Sequence, residues 1–179
     1  VLSGPCAAIL RPSDRCDDMI YGIGIDVVEP HRVVRLLEKY GDRFARRVLT
    51  PREWPGYTKT INRVFYVANR FAAKEAFSKA MGTGFRFPVT LQCISIVQDR
   101  RGKPGFEFHP RLQAMVDEEG IKAHHVTISD EKSLACACVV LQTRQPITGN
   151  FWTNINDGRF AIPGIIELSN LRPLQGHIT

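Results

Sequence analysis

Gly22, Ile23, Gly24, Ile25, Asp26 and Val27 alternate between bare or acidic positions and branched apolar ones. Period-two alternation with Ile and Val is the mark of a β-strand, and the spacing predicts one over residues 20–28. Side chains in a strand point to opposite faces in turn. Ile23, Ile25 and Val27 therefore share one face, and Gly22, Gly24 and Asp26 share the other. The carboxylate of Asp26 stands on a face stripped of neighbouring side chains, where a ligand or a metal could reach it. A strand-end Asp that caps a turn is the alternative. The strand carries Gly-x-Gly, but the third glycine of a dinucleotide fingerprint would fall at Val27 and a proline follows at 30, so a Rossmann phosphate turn is excluded.

The chain has 179 residues, 44% of them apolar and 23% charged, which suits one globular domain and excludes wholesale disorder. It has no apolar run of membrane-spanning length. Its net charge of +6 favours an anionic partner. Residues 19–142 hold 19 Lys and Arg against 13 Asp and Glu, whereas the flanks hold 5 of each, so the basic character belongs to that segment. We read 19–142 as the working domain, 1–18 as an N-terminal extension lacking the basic and apolar regions of a signal peptide, and 143–179 as a C-terminal extension rich in Pro, Gly and Asn. The five cysteines, Cys6, Cys16, Cys93, Cys136 and Cys138, form no C-x-x-C pair and suit reduced, buried thiols in a cytoplasmic protein.

Residues 31–48 read as helical with a possible break at Gly41. Arg32, Arg35, Lys39, Arg43 and Arg46 fall on one stripe, with Val33, Leu37, Tyr40 and Phe44 on the core-facing stripe. Residues 31–74 carry 11 basic and 3 acidic side chains, more than a merely solvated face needs, which points to a docking surface for an anion. Thr50, Pro51 and Glu53 read as a helix start, with Thr50 as the cap. Residues 62–81 form a long helix of strong formers, ended by Gly82, Thr83 and Gly84. Glu75 and Lys79 share one face of it at i and i+4: an exposed ion pair, or a metal-binding carboxylate beside a cation that neutralises phosphate. Strands are expected over 89–97, 106–108, 125–129 and 134–142, with a helix over 110–119 and a hairpin at 130–132. Helices and strands without regular βαβ alternation give an α+β fold.

Three segments together resemble one family. They are GIGIDVVE at 22–29, RFAAKEAFSKAMGTG at 70–84, and HVTISDEKSLACACVV at 125–140. The chain is identified as a member of the small bacterial 4′-phosphopantetheinyl transferases, the holo-[acyl-carrier-protein] synthases. The resemblance spans essentially all of 19–142, and its K-E-A-x-x-K segment is specific.

That resemblance implies a Mg²⁺-dependent transfer of phosphopantetheine from coenzyme A to a serine of apo acyl carrier protein, with release of 3′,5′-ADP. It implies an α+β fold and homotrimers with active sites between neighbouring subunits. It assigns Asp26 and Glu75 as metal ligands and Lys79 as the lysine beside the phosphates. Gly82, Thr83 and Gly84 are candidates for approaching coenzyme A. Arg32 and Arg43 best match the docking surface for the acidic carrier protein, with Arg35, Lys39 and Arg47 weaker. Asp130 stands where many members have His, so it receives a supporting role, and His125 is read as structural. Two other readings are a nucleic-acid-binding module, which lacks an accompanying aromatic platform, and a carrier-protein-binding module without catalysis. Neither a membrane nor a nucleic acid is an expected partner.

Overall fold

The computed structural model describes residues 19–144. The 1–18 segment with Cys6 and Cys16, and the extension from 145 onward, lie outside the described residues. The elements are β1 (Met19–Val28), α1 (Pro30–Tyr40), α2 (Asp42–Val48), α3 (Trp54–Lys59), α4 (Arg63–Ala80), β2 (Ile94–Gln98), β3 (Pro104–Phe108), α5 (Pro110–Glu118), β4 (Ile121–Glu131) and β5 (Leu134–Thr143). The fold is α+β. An antiparallel sheet runs β1-β5-β4, and β2 and β3 form a separate antiparallel pair.

Helix α4 is the axis of the molecule. Asn62 caps it by accepting the Phe65 N–H through its side chain, which satisfies one of the orphan donors of the first turn. Its interior contains neither Gly nor Pro, and four of its residues from 72 to 80 are alanine. It packs on β1, β5 and β4 on one side and against α1, α2, α3 and β2 elsewhere. This enclosure buries Val67, Phe71, Phe77 and even Lys74, Glu75 and Ser78. Gly82, at φ +70°, ends the helix in the left-handed region that glycine adopts without strain.

The alternation of β1 has a second consequence. A Cβ at Gly24 would sit 1.9 Å from the Ala76 carbonyl oxygen, and one at Gly22 would sit 2.0 Å from that of Ala80. The strand backbone thus lies directly on the small-residue stripe of α4, an approach only glycine allows. The opposite face of the sheet is open. Ile23, Ile25 and Val27 are 57, 56 and 52% exposed, and register sets them opposite Val140, Cys138 and Cys136. Those two thiols are half-buried on this outward face, and Cys93 is half-buried as well, rather than in the core as expected. The core stripe of β5 is instead Ala135, Ala137, Val139 and Leu141.

Other expectations need correction. The basic helix is two helices, because Gly41 takes φ +55° and breaks the stripe after Lys39. Tyr40, placed in the core by a continuous period, is exposed as a result. Strand β2 begins at Ile94 rather than at 89, since residues 88–93 are turns that carry α4 into the second sheet. The helix expected at Thr50 begins at Trp54. Residues 51–53 make a turn in which the Thr50 N–H donates to the Glu53 carboxylate at 2.8 Å. Glu53 thus answers Thr50 as in a capping box, but its carboxylate has been drawn into the core.

Candidate active site

The site forms where the bare face of β1 meets α4. Asp26 lies two residues beyond Gly24 on the same face, so the close approach that the glycines permit brings its carboxylate to the helix. Lys79, one turn after Glu75, reaches back across the seam. Its ammonium donates to Asp26 Oδ1 at 2.8 Å and to the Ile25 carbonyl at 3.1 Å. The exposed Glu75–Lys79 pair that i, i+4 spacing suggests does not form. Glu75 is 6% exposed, and its Oε2 is buried without a hydrogen-bond partner.

The electrostatics follow from this geometry. Burial raises the Glu75 carboxyl from 4.5 to about 7; the neighbouring Asp26 carboxylate pushes the same way, and Lys79 opposes both. Asp26 is raised by burial too, against the pull of Lys79 and, more weakly, of Arg32. One ammonium therefore shares two crowded carboxyl groups, and a buried carboxylate oxygen has no donor. That is a donor set suited to a hard cation. Among the described residues no cluster of three or more His, Cys, Asp or Glu side chains comes together. Two carboxylates match what Mg²⁺ commonly takes from a protein when waters and substrate phosphates supply the rest.

The other candidates are placed as follows. Arg32 is half-buried on α1 and near enough to Asp26 to act on its charge, so the basic helix opens onto the site. Arg43 is exposed on α2, beyond the break at Gly41. Arg35 and Lys39 are exposed on α1, Lys39 lying over the Tyr40 ring. Arg46 is stacked on the Trp54 ring at 3.8 Å from its centroid. In the glycine turn, the Gly82 N–H donates to the Lys79 carbonyl at 2.9 Å and the Gly84 N–H to Ser78 at 3.3 Å. The Thr83 hydroxyl donates to the Gly84 carbonyl. The turn thus begins two residues past the end of the helix that carries Lys79, directly after Met81. Asp130 accepts from the Asn69 side chain at 3.2 Å, tying the β4–β5 hairpin to α4. His125 pairs with Gln142 at 2.9 Å on the exposed sheet face.

One feature of the site's support was missed from sequence. Lys74, read only as a helix former, is fully buried and donates to Glu53 at 2.6 Å. The signal available was the Thr50–Glu53 spacing together with a lysine amid the apolar residues of α4.

Comparison with known proteins identifies the family of the chain. Residues 22–139 match the model of the 4′-phosphopantetheinyl transferase superfamily. The holo-[acyl-carrier-protein] synthase of Nitrosospira multiformis is 58% identical over 124 residues, which cover 69% of this chain and 99% of that protein. The crystal structure of holo-[acyl-carrier-protein] synthase from Neisseria meningitidis is similar with a TM-score of 0.67 and 46% identity, covering 69% of this chain and 98% of that one. A holo-(acyl-carrier-protein) synthase from Bacillus anthracis, solved in complex with CoA (3′,5′-ADP), is similar with a TM-score of 0.59 and 38% identity, covering 70% of this chain and 98% of that one. A strand whose glycines admit a helix, a carboxylate on each element and a lysine between them are thus set in a chain that belongs to the 4′-phosphopantetheinyl transferase superfamily, among its holo-[acyl-carrier-protein] synthases.

Proposed function

We propose that the Asp26–Glu75–Lys79 site transfers 4′-phosphopantetheine from coenzyme A to a serine of apo acyl carrier protein, releasing 3′,5′-ADP. The observation that carries the site assignment is the orphaned, buried Glu75 oxygen beside Asp26 and the Lys79 ammonium. Asp26 and Glu75 would hold Mg²⁺, which supplies charge stabilisation on the pyrophosphate oxygens. Lys79 is poised on the same seam, 38% exposed at its side chain. It balances negative charge growing on the departing 3′,5′-ADP and can give a proton to it. The nucleophile belongs to the carrier protein, so the enzyme's task is positioning and electrostatics. Gly82, Thr83 and Gly84 begin within a turn after Lys79, which suits an approach to the coenzyme.

Arg32 and Arg43 would dock the acidic carrier protein. Arg32 sits beside Asp26, so a partner held there presents its serine to the metal site. The open apolar sheet face of Ile23, Ile25, Val27 and Val140 supports assembly with further copies of the chain as a homotrimer, because exposed apolar faces of this kind mark association surfaces. No helix among the described residues is long and apolar enough to cross a membrane, and the three free thiols they contain suit a reducing cytoplasm. The test is intact-mass spectrometry of apo carrier protein incubated with enzyme, coenzyme A and Mg²⁺. A mass gain of one phosphopantetheine that chelation abolishes is expected; a folded enzyme giving no gain overturns the reading.

A further inference from the structure

The buried Glu53–Lys74 pair lies outside the reacting groups, yet it is built with more hydrogen bonds than any other charged cluster described above. The Lys74 ammonium has three N–H donors, and all are used. They go to the Val48 carbonyl at 2.7 Å, to Glu53 Oε2 at 2.6 Å and to the Leu91 carbonyl at 3.0 Å. Glu53 in turn accepts from the Thr50 N–H and hydroxyl and from the Ile96 N–H at 2.9 Å. Arg70 stands 3.7 Å from its other oxygen. Five segments meet in this cluster: the end of α2, the turn before α3, the turn before β2, β2 itself through Ile96, and α4.

Glu75 follows Lys74 directly, so the two side chains leave α4 about 100° apart. Its carboxylate needs an accurate rotation of the helix, and little at the carboxylate supplies one: Oε2 has no partner. On the sheet side the β1 backbone at Gly22 and Gly24 lies on Ala80 and Ala76, and hydrogen bonds from Lys79 to Asp26 and Ile25 and from Asn69 to Asp130 join the helix to the strands. The three directional hydrogen bonds from the Lys74 ammonium join the same helix to the segments that do not belong to that sheet, and the two sets together fix its rotation and height. A buried ion pair is weak evidence for stability, because well-packed apolar replacements often match it. What it does supply is a single arrangement of the elements it joins.

We infer that Glu53 and Lys74 are positioning residues for the metal site, fixing α4 so that Glu75 faces Asp26. This rests on the reading of Asp26 and Glu75 as metal ligands.

The test compares the full-length wild type with Glu53→Gln/Lys74→Met, which removes both buried charges at similar volume. Mn²⁺ is titrated calorimetrically in the presence of coenzyme A, with folded content checked by circular dichroism. The double variant should stay folded and bind Mn²⁺ about tenfold more weakly, as losses behind a metal ligand commonly do. Leu112→Ala, a fully buried change on α5, is the control: it should lower the melting temperature without moving the metal affinity. Glu53→Gln alone preserves shape and should weaken the metal in the same direction if the double variant is poorly folded. An unchanged affinity in the folded variants overturns the inference, as does a loss equal to that of the control. Failure of both variants to fold would assign the pair to stability and overturn it too. Absence of metal binding by the wild type would instead overturn the reading of Asp26 and Glu75.

Discussion

Replacing Glu75 with glutamine should abolish metal-dependent transfer and, in metal-free protein, make the fold more stable at alkaline pH. Below pH 4.5 the carboxyl is protonated in folded and unfolded chains alike and costs nothing. As pH rises toward 7 the unfolded chain ionises while the folded one resists, because burial and Asp26 hold the Glu75 carboxyl up at about 7. Stability is lost across that window, and the whole penalty persists above it. At about 1.4 kcal/mol per pH unit, raising this carboxyl from 4.5 to about 7 costs about 3 kcal/mol. The half-open Lys79 and the water it admits screen part of this, and the buried glutamine amide keeps a hydrogen-bonding deficit of about 1 kcal/mol. The net gain for Glu75→Gln is therefore about 1–2 kcal/mol at pH 8, or about 3–6 °C in melting temperature for a domain of this size. It should shrink to nothing or reverse at pH 5. Urea and thermal unfolding in chelator at both pH values measure it. A variant less stable than wild type at pH 8, or equally shifted at both pH values, would refute the claim that Glu75 is an uncompensated buried charge held for a cation.

Gly24→Ala places a Cβ against the Ala76 carbonyl and should destabilise the fold by about 3 kcal/mol, as overpacking does, lowering the urea midpoint; an unchanged midpoint would contradict the glycine seam. Asp26→Asn removes the acceptor of Lys79 at 2.8 Å and should erase Mg²⁺-dependent turnover; normal Mg²⁺ dependence would count against the paired carboxylates. Arg32→Glu should raise the KM for carrier protein about tenfold or more, by like-charge repulsion at a docking surface, with the KM for coenzyme A little changed; an unchanged carrier-protein KM removes Arg32 from that surface. A chain trimmed to residues 19–144 should fold and transfer at the full-length rate, measured by circular dichroism and the mass assay; loss of either would make the extensions part of the working enzyme.

Much of this architecture was legible because local rules and global packing agree. Alternation at 22–27 fixes which face of β1 carries Asp26. The run at 70–84 has helix formers throughout and glycines after its end, so α4 could be bounded closely. What periodicity could not reveal was tertiary. The glycine at 41 converts one basic stripe into two helices and turns Tyr40 outward. Glu53 has the spacing of a capping residue, yet its carboxylate is pulled into the core by Lys74, a partner 21 residues away. The Glu75–Lys79 spacing suggested an exposed pair, but β1 lies against that face of the helix and offers Asp26 as the better acceptor. The family resemblance named Asp26, Glu75 and Lys79 as a set; the structure supplies the reason they can meet, a strand without side chains where it crosses the helix.

The most direct test of the whole account is the carrier-protein mass assay run with wild type and Glu75→Gln side by side. With wild type, coenzyme A and Mg²⁺, apo carrier protein should gain one phosphopantetheine, and chelator should abolish the gain. Folded Glu75→Gln should leave the carrier protein unmodified. Transfer by that variant at the wild-type rate, or transfer by wild type that chelator leaves untouched, would contradict the carboxylate-held metal at the centre of the mechanism.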